Sequence, residues 1–282
     1  MDIQQPKKLK ILLIGEICID QFYYGSISRI SPEAPVPIFD IDEVKAYDGM
    51  SGNVKSNLIG LGLDVVHFYN ESNDQIVKSR YIDKKFNQHI IRVDNKPRVK
   101  LINLKKLETI CDKNKDINAI IISDYDKGFI KNFKISSLIL LLNKKYPDIK
   151  IFVDTKKKDV SNYKGCILKL NSEEFNACRS TIPNDSKVVV TMGKDGSMYE
   201  NRVYPVEKAE VFDVSGAGDT FISALVKKYL EVLSIDESMK FANACASFVV
   251  KKSGTYAITP EDLSSINKKL NNFNFEMKKG KK

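Results

Sequence analysis

Short, continuous apolar runs alternate with helical patterns through the middle of the chain. "NAIIISDYD" (118–126), "KIFVDTK" (150–156), "GCILKLN" (165–171) and "KVVVTMG" (187–193) are rich in β-branched residues, and each turns polar at its C-terminal end. Helix-period stretches such as "ISSLILLLNKKYP" (135–147) lie between them. Strands that are apolar throughout and alternate with helices predict a parallel sheet covered on both faces. Ligands of such sheets gather beyond the strand C-termini. That edge would carry Asp124, Asp154, Asn171 and Gly193.

The first part of the chain has a different pattern. "KILLIGE" reads as a first buried strand. "APVPIFDIDEVKAYD" (34–48) and "KSRYIDKKFNQHIIRVD" (78–94) alternate polar and apolar residues, which predicts a small antiparallel sheet with one wet face. Toward the end, "GDTFISALVKKYLEVL" (218–233) and "IDESMKFANACASFVVKK" (235–252) have helical spacing, and "KKGKK" reads as a frayed, solvated tail. No internal repeat is visible. The expectation is one α/β domain over 1–282, a three-layer α/β/α sandwich with a small β lid from about 15–48 and 78–98.

Composition narrows the chemistry. No apolar run approaches ~20 residues, so no membrane span is expected, and the N-terminus lacks a signal-peptide pattern. Five scattered cysteines without a C-x-x-C pair argue against a disulfide framework or a zinc site, which fits a reducing cytoplasm. With only His67 and His89, the chemistry must lean on carboxylates, lysines and backbone amides. The net charge of +9 is spread along the chain and not grouped with aromatics. That excludes nucleic acid as the first reading and suits an anionic small molecule.

"DVSGAGDTF" (213–221) puts two glycines and two aspartates into nine residues just ahead of a helical pattern. A helix N-terminus leaves backbone N–H groups unpartnered and carries about half a positive charge, and glycines let an anion approach them. Gly216, Ala217 and Gly218 would then form an anion hole. Asp219 would take the proton of an attacking alcohol. The alternative is an aspartate capping the helix after a glycine turn.

The same string resembles the C-terminal signature of the PfkB/ribokinase family of sugar kinases, and "DGMSGNVKSNLIGLG" (48–62) resembles its N-terminal signature. "GEICIDQFYYGSISRISPEAPVPIFDID" (15–42), "SDYDKG" (123–128), "VDTK" (153–156), "LNSEEF" (170–175) and "FANACASFVVKKSGT" (241–255) are similar to the heptose 7-phosphate kinases within that family. The likeness runs in order from about residue 9 to about residue 263. It implies ATP-dependent phosphorylation of a sugar phosphate, at C1 of D-glycero-D-manno-heptose 7-phosphate, on the route to ADP-heptose. Such kinases are often fused to a nucleotidyltransferase, for which this chain is too short.

The resemblance also assigns roles. Asp20, Gly49 and Asn53 match sugar-binding positions, while Arg29, then Lys156 and Lys127, are expected to meet the substrate phosphate. In Asn171-Ser172-Glu173-Glu174 the aligned pair is Asn171 and Glu174, with Glu174 reaching Mg²⁺ through water. Thr191 and Gly193 match the turn passing the nucleotide phosphates, and Asn243 matches a residue near the adenine. Asp213 and Ser215 match positions that hold a monovalent cation such as K⁺. Pairing of lids implies a homodimer.

Two features depart from the family. The usual glycine pair is Gly49-Met50, and about thirty residues are missing between "LGLDVVHFYN" (61–70) and "KSRYID" (78–83), as if a strand–helix unit were lost on the sugar side. A kinase for another sugar or nucleoside therefore stays open, as does a sugar-binding regulatory module without catalysis.

Overall fold

The computed structural model describes residues 8–71, 75–207, 210–252 and 254–279, with side chains described to residue 270. The end of the basic tail lies outside the described residues. Eight strands form the main sheet: β1 (Lys10–Gly15), β4 (Asp64–Tyr69), β7 (Ala119–Asp124), β8 (Ile151–Thr155), β9 (Ile167–Asn171), β10 (Lys187–Thr191), β11 (Ser197–Tyr199) and β12 (Arg202–Tyr204). Their order is β12-β11-β10-β9-β8-β7-β1-β4. Pairing is parallel from β4 to β10, and the final hairpin is antiparallel.

Every residue of β7 and of β8 is buried, as the unbroken apolar runs require of strands covered on both faces. One face packs against α1 (Ser51–Gly60), α5 (Ala217–Val232), α6 (Ile235–Val249) and α7 (Pro260–Lys279), through residues such as Ile11, Phe152, Leu225 and Met239. The other packs against α2 (Leu104–Lys113), α3 (Asn132–Lys145) and α4 (Ser172–Cys178), through Leu12, Ile120, Leu138 and Tyr163. This is the expected three-layer arrangement. Among the described residues no helix is long and apolar enough to cross a membrane.

A second sheet holds β2 (Ile17–Ile30), β3 (Pro37–Met50), β5 (Ile76–Asp83) and β6 (Gln88–Asp94), in the order β3-β2-β5-β6. It is mixed, not antiparallel as the alternation suggested, because β2 and β5 run parallel. The chain leaves β3 through α1 and β4 before returning as β5, so no tight hairpin fixes the direction of β5 against its neighbour β2. One face of β5 turns inward with Ile76, Lys78, Arg80 and Ile82 buried, while all of β6 is exposed.

Met50 ends β3 with φ +58°, a conformation that favours glycine. Its side chain is buried against Cys18 and Ile76 beneath the second sheet. Burying a methionine gains roughly 1.5–3 kcal/mol, which offsets the roughly 1–3 kcal/mol of backbone strain. The side chain that replaces the usual glycine thus fills a core.

Glu16 joins the two sheets between β1 and β2. Its backbone N–H donates to the Ser123 carbonyl and its carbonyl accepts from the Ser51 N–H. Burial, then the neighbouring Asp124, push its carboxyl up to about 7, against the pull of backbone N–H donors from Phe129, Tyr125 and Lys127. The unfolded value is near 4.5. A carboxyl raised on folding contributes stability that is complete below the unfolded value and lost as pH rises through the folded one. Glu16→Gln carries no charge to bury, so its melting temperature should gain on the parent's between pH 5 and pH 8. Thermal melts at both values check this, and a constant difference would show that Glu16 does not titrate in that window.

Candidate active site

The C-terminal ends of β7 to β10 and the N-terminus of α5 converge. Gly216 is the N-cap of α5, with φ +79° and no side-chain cap. Asp219 therefore stands in the first turn and is not the cap. Its carboxylate is 6% exposed and turns to two donors instead. Asn53 Nδ2 of α1 donates to Oδ2 at 2.9 Å, and the Tyr125 hydroxyl donates to Oδ1 at 2.5 Å. Burial raises the Asp219 carboxyl above its ordinary value, Asp154 adds to that, and the hydrogen bonds from Tyr125 and Asn53 oppose it. Of the two readings left open by the sequence, helix cap and reactive carboxylate, the geometry excludes the cap.

The glycines have steric reasons. A Cβ on Gly216 would lie 2.5 Å from Asn53 Nδ2, and one on Gly218 would lie 2.8 Å from Lys169 Nζ. Lys169 of β9 is 3% exposed and pairs with Asp154 Oδ2 at 2.8 Å. A buried ammonium thus borders the uncapped helix end. The sequence reading passed over Lys169, because a strand covered on both faces gives no alternation that tells where its one lysine points. Burial alone would raise the Asp154 carboxyl, but Lys169 and Lys156 outweigh it and hold it below its usual range.

A cleft runs from this cluster along the strand ends, lined by Lys169, Asn171, Thr191, Gly193 and Gly218 and by Asn243 and Ser247 of α6. Asn171 caps α4 in a reciprocal box, accepting from the Glu174 N–H at 2.8 Å while Glu174 Oε2 accepts from the Asn171 N–H. Glu174 Oε1 accepts from Lys156 Nζ at 2.5 Å. Ser172 donates to the Thr191 carbonyl at 3.4 Å, and Glu173 is exposed. Asn243 is buried and donates to the Tyr204 carbonyl at 2.8 Å, so it does not face solvent. Asp213 accepts from the Ser215 and Gly254 N–H groups at 2.8 and 3.0 Å.

The second sheet borders the other side. Asp20 of β2 is buried, and its Oδ1 accepts from Arg80 at 2.6 Å. Gly49 is required there, since a Cβ would lie only 2.2 Å from Asp20 Oδ2. Arg80 and Lys78, both on the inner face of β5, escaped the sequence reading, although strand alternation would have found them. The three expected phosphate partners differ in placement. Arg29 is exposed at the far end of β2, nine residues or about 30 Å of strand from Asp20, so within one chain it cannot reach this cluster. Lys156 is committed to Glu174 and Asp154 on the cleft side, and the Lys127 side chain is exposed.

Comparison with known proteins gives a consistent picture. Residues 166–262 match the model of the pfkB family carbohydrate kinases. Bifunctional protein HldE of Coxiella burnetii (strain Dugway 5J108-111) is 31% identical over 312 aligned positions, covering 93% of this chain and 64% of that protein. That of Helicobacter acinonychis is 32% identical, covering 91% and 66%. The chain thus spans just under two thirds of the length of these relatives. Both alignments have more positions than the chain has residues, so the relatives carry segments that it lacks. Phosphofructokinase-2 from Escherichia coli, solved in complex with potassium, superposes with a TM-score of 0.69 at 17% identity over 94% of this chain and 99% of that one. Arabidopsis thaliana ribokinase, complexed with ribose and ATP, gives 0.68 at 15% over 94% and 99%. These two likenesses establish the fold.

Gly216→Ala combines a strained φ with a collision against Asn53. It should cost about 1–3 kcal/mol of stability, read as a lower urea midpoint. An unchanged midpoint would mean that the turn relaxes without loss.

Proposed function

We propose that the chain is a carbohydrate kinase of the pfkB family, and that it transfers the γ-phosphoryl group of ATP to C1 of D-glycero-D-manno-heptose 7-phosphate. The observation that carries the reading is Asp219, a buried carboxylate in the first turn of an uncapped helix, held by donors on both oxygens. The acceptor hydroxyl gives its proton to Asp219 as it attacks phosphorus. The N–H groups of 216–218 and the Lys169 ammonium face the charge that spreads over the phosphoryl oxygens. Asn243 and the inner part of the cleft take the nucleoside, while Thr191 and Gly193 pass its phosphates. Asp20, Gly49 and Asn53 orient the sugar. The heptose assignment draws on the family-specific strings, "SRISPEAPVP" above all, and on the likeness to the HldE proteins.

Among the described residues no group of three or more His, Cys, Asp or Glu could hold a metal by itself. Mg²⁺ fits the Glu174 carboxylate at the cleft, since it keeps its waters and binds through one or two carboxylates plus substrate phosphates. Both Glu174 oxygens are engaged, so Glu174 would reach the ion through water. When bound, the ion neutralises phosphate charge. For a monovalent cation such as K⁺, Asp213, Ser215 and the Thr255 hydroxyl beside Gly216, buried and without a partner among the described residues, are the candidates. Lys78 and Lys127 take over from Arg29 as partners of the sugar's own phosphate within one chain.

Asp219→Asn should keep the fold and ATP affinity while turnover falls roughly 10²–10⁴-fold. A coupled ADP assay with heptose 7-phosphate and a panel of other sugars and nucleosides reads both claims. Full turnover in the variant would remove Asp219 from the chemistry, and preference for another acceptor would replace the heptose.

A homodimer through the second sheet belongs to the same proposal. Register puts Val44, Tyr23, Tyr81 and Ile91 in one row across β3, β2, β5 and β6, and Val44 and Ile91 are more than half exposed. A second copy would cover that row and could bring its Arg29 toward the sugar. Ile91→Glu should dissociate the dimer and raise KM for the sugar without changing ATP affinity. Light scattering that shows a fully active parental monomer would refute this part.

A further inference from the structure

"SDYDKG" has no role in the proposal so far beyond Lys127. Its tyrosine follows β7 and makes the shorter of the two hydrogen bonds to Asp219, 2.5 Å from hydroxyl to Oδ1. The Lys78 and Lys156 ammonium groups lie over its ring, 5.3 and 5.6 Å from the centroid. The loop beyond β7 turns sharply, with Asp126 at φ +56° and Gly128 at φ +107°. One fully buried side chain holds this loop. Glu16 Oε2 accepts from the Tyr125 N–H at 2.6 Å, and Oε1 accepts from the Lys127 and Phe129 N–H groups at 2.8 and 3.1 Å.

These contacts form one connected path. Glu16 stands where the two sheets join, fixes the backbone of 125–129, and so fixes the direction of the Tyr125 hydroxyl. The hydroxyl and Asn53 Nδ2 grip opposite oxygens of Asp219 and block rotation of the carboxylate. A carboxylate as buried as this one is stable in ionised form only while donors face it.

We propose that Tyr125 is a positioning residue that keeps the Asp219 carboxylate ionised and aimed, and that Glu16 sets it through the loop. This rests on the reading of Asp219 as the base. The phenol acts as a donor throughout, because burial, followed by Asp219 and Asp154, raises its own pKa well above 10. Other groups facing Asp219 are Asn53 from α1, Asp154 from β8, Lys169 from β9 and Lys156 beyond β8. Their arrangement does not involve the phenol oxygen, so Tyr125→Phe isolates its effect.

The test needs no substrate. Full-length protein labelled with ¹³C at the aspartate carboxyls is titrated by NMR, and the resonance lost in Asp219→Asn identifies Asp219. In Tyr125→Phe its midpoint should move up by about one unit or more, since a hydrogen bond to a charged group has been removed. Glu16→Gln should move it in the same direction by less. The double variant should move it no further than Tyr125→Phe alone, because the two residues act in series. An unmoved midpoint in Tyr125→Phe overturns the inference. Additive shifts overturn the part assigned to Glu16. Kinetics with heptose 7-phosphate supply a second readout, in which Tyr125→Phe should lower kcat, mostly at low pH, with KM for ATP unchanged. A variant faster than the parent would mean that the phenol occupies the acceptor's place, which also overturns the inference. Full activity in Asp219→Asn, by contrast, would sink the base assignment while leaving the NMR result standing.

Discussion

A carboxylate buried where several strand ends meet a helix N-terminus is the constraint around which the site is organised. Burial pushes the Asp219 carboxyl up toward its neutral form, which could not accept a proton from an alcohol in the role proposed for it. Each neighbour can be understood from that requirement. Asn53 and Tyr125 donate to its two oxygens, and Gly216 lacks a side chain because Asn53 needs that space. Lys169 supplies positive charge next to the helix end, and its pairing with Asp154 makes burial of the ammonium tolerable.

The fold serves this constraint by bringing together residues that lie far apart in sequence. Asn53 comes from α1, Tyr125 from the loop after β7, Lys169 from β9 and the glycines from the start of α5. In a parallel sheet the strand C-termini share one edge, so four separate parts of the chain can meet at one place without a long excursion. The second sheet is tied to this edge through Glu16, whose carboxylate holds the loop after β7. Movement of that sheet would therefore be felt at the loop after β7.

The main sheet was legible because each of its central strands is an unbroken apolar run, a pattern that only double burial explains. The anion-binding turn was legible because its glycines are adjacent in the chain. Lys169 was hidden because a strand buried on both faces gives no periodicity from which to tell that a lysine points inward. The Tyr125–Asp219 contact was hidden because 94 residues separate its partners and nothing local marks it. Arg29 lies apart from Asp20 within one chain because closeness in a motif is not closeness in space, and an extended strand carries nine residues about 30 Å. The parallel pairing of β2 with β5 was missed because alternation reports which face is wet and says nothing about direction.

Phosphorus NMR of the unmodified protein with ATP, Mg²⁺ and D-glycero-D-manno-heptose 7-phosphate tests phosphoryl transfer to the sugar most directly. The resonances of ADP should grow together with one new phosphomonoester signal coupled to the anomeric proton, while the 7-phosphate signal persists. Release of inorganic phosphate without a new sugar phosphate, or no consumption of ATP with any acceptor, would contradict the assignment of this site as a sugar kinase.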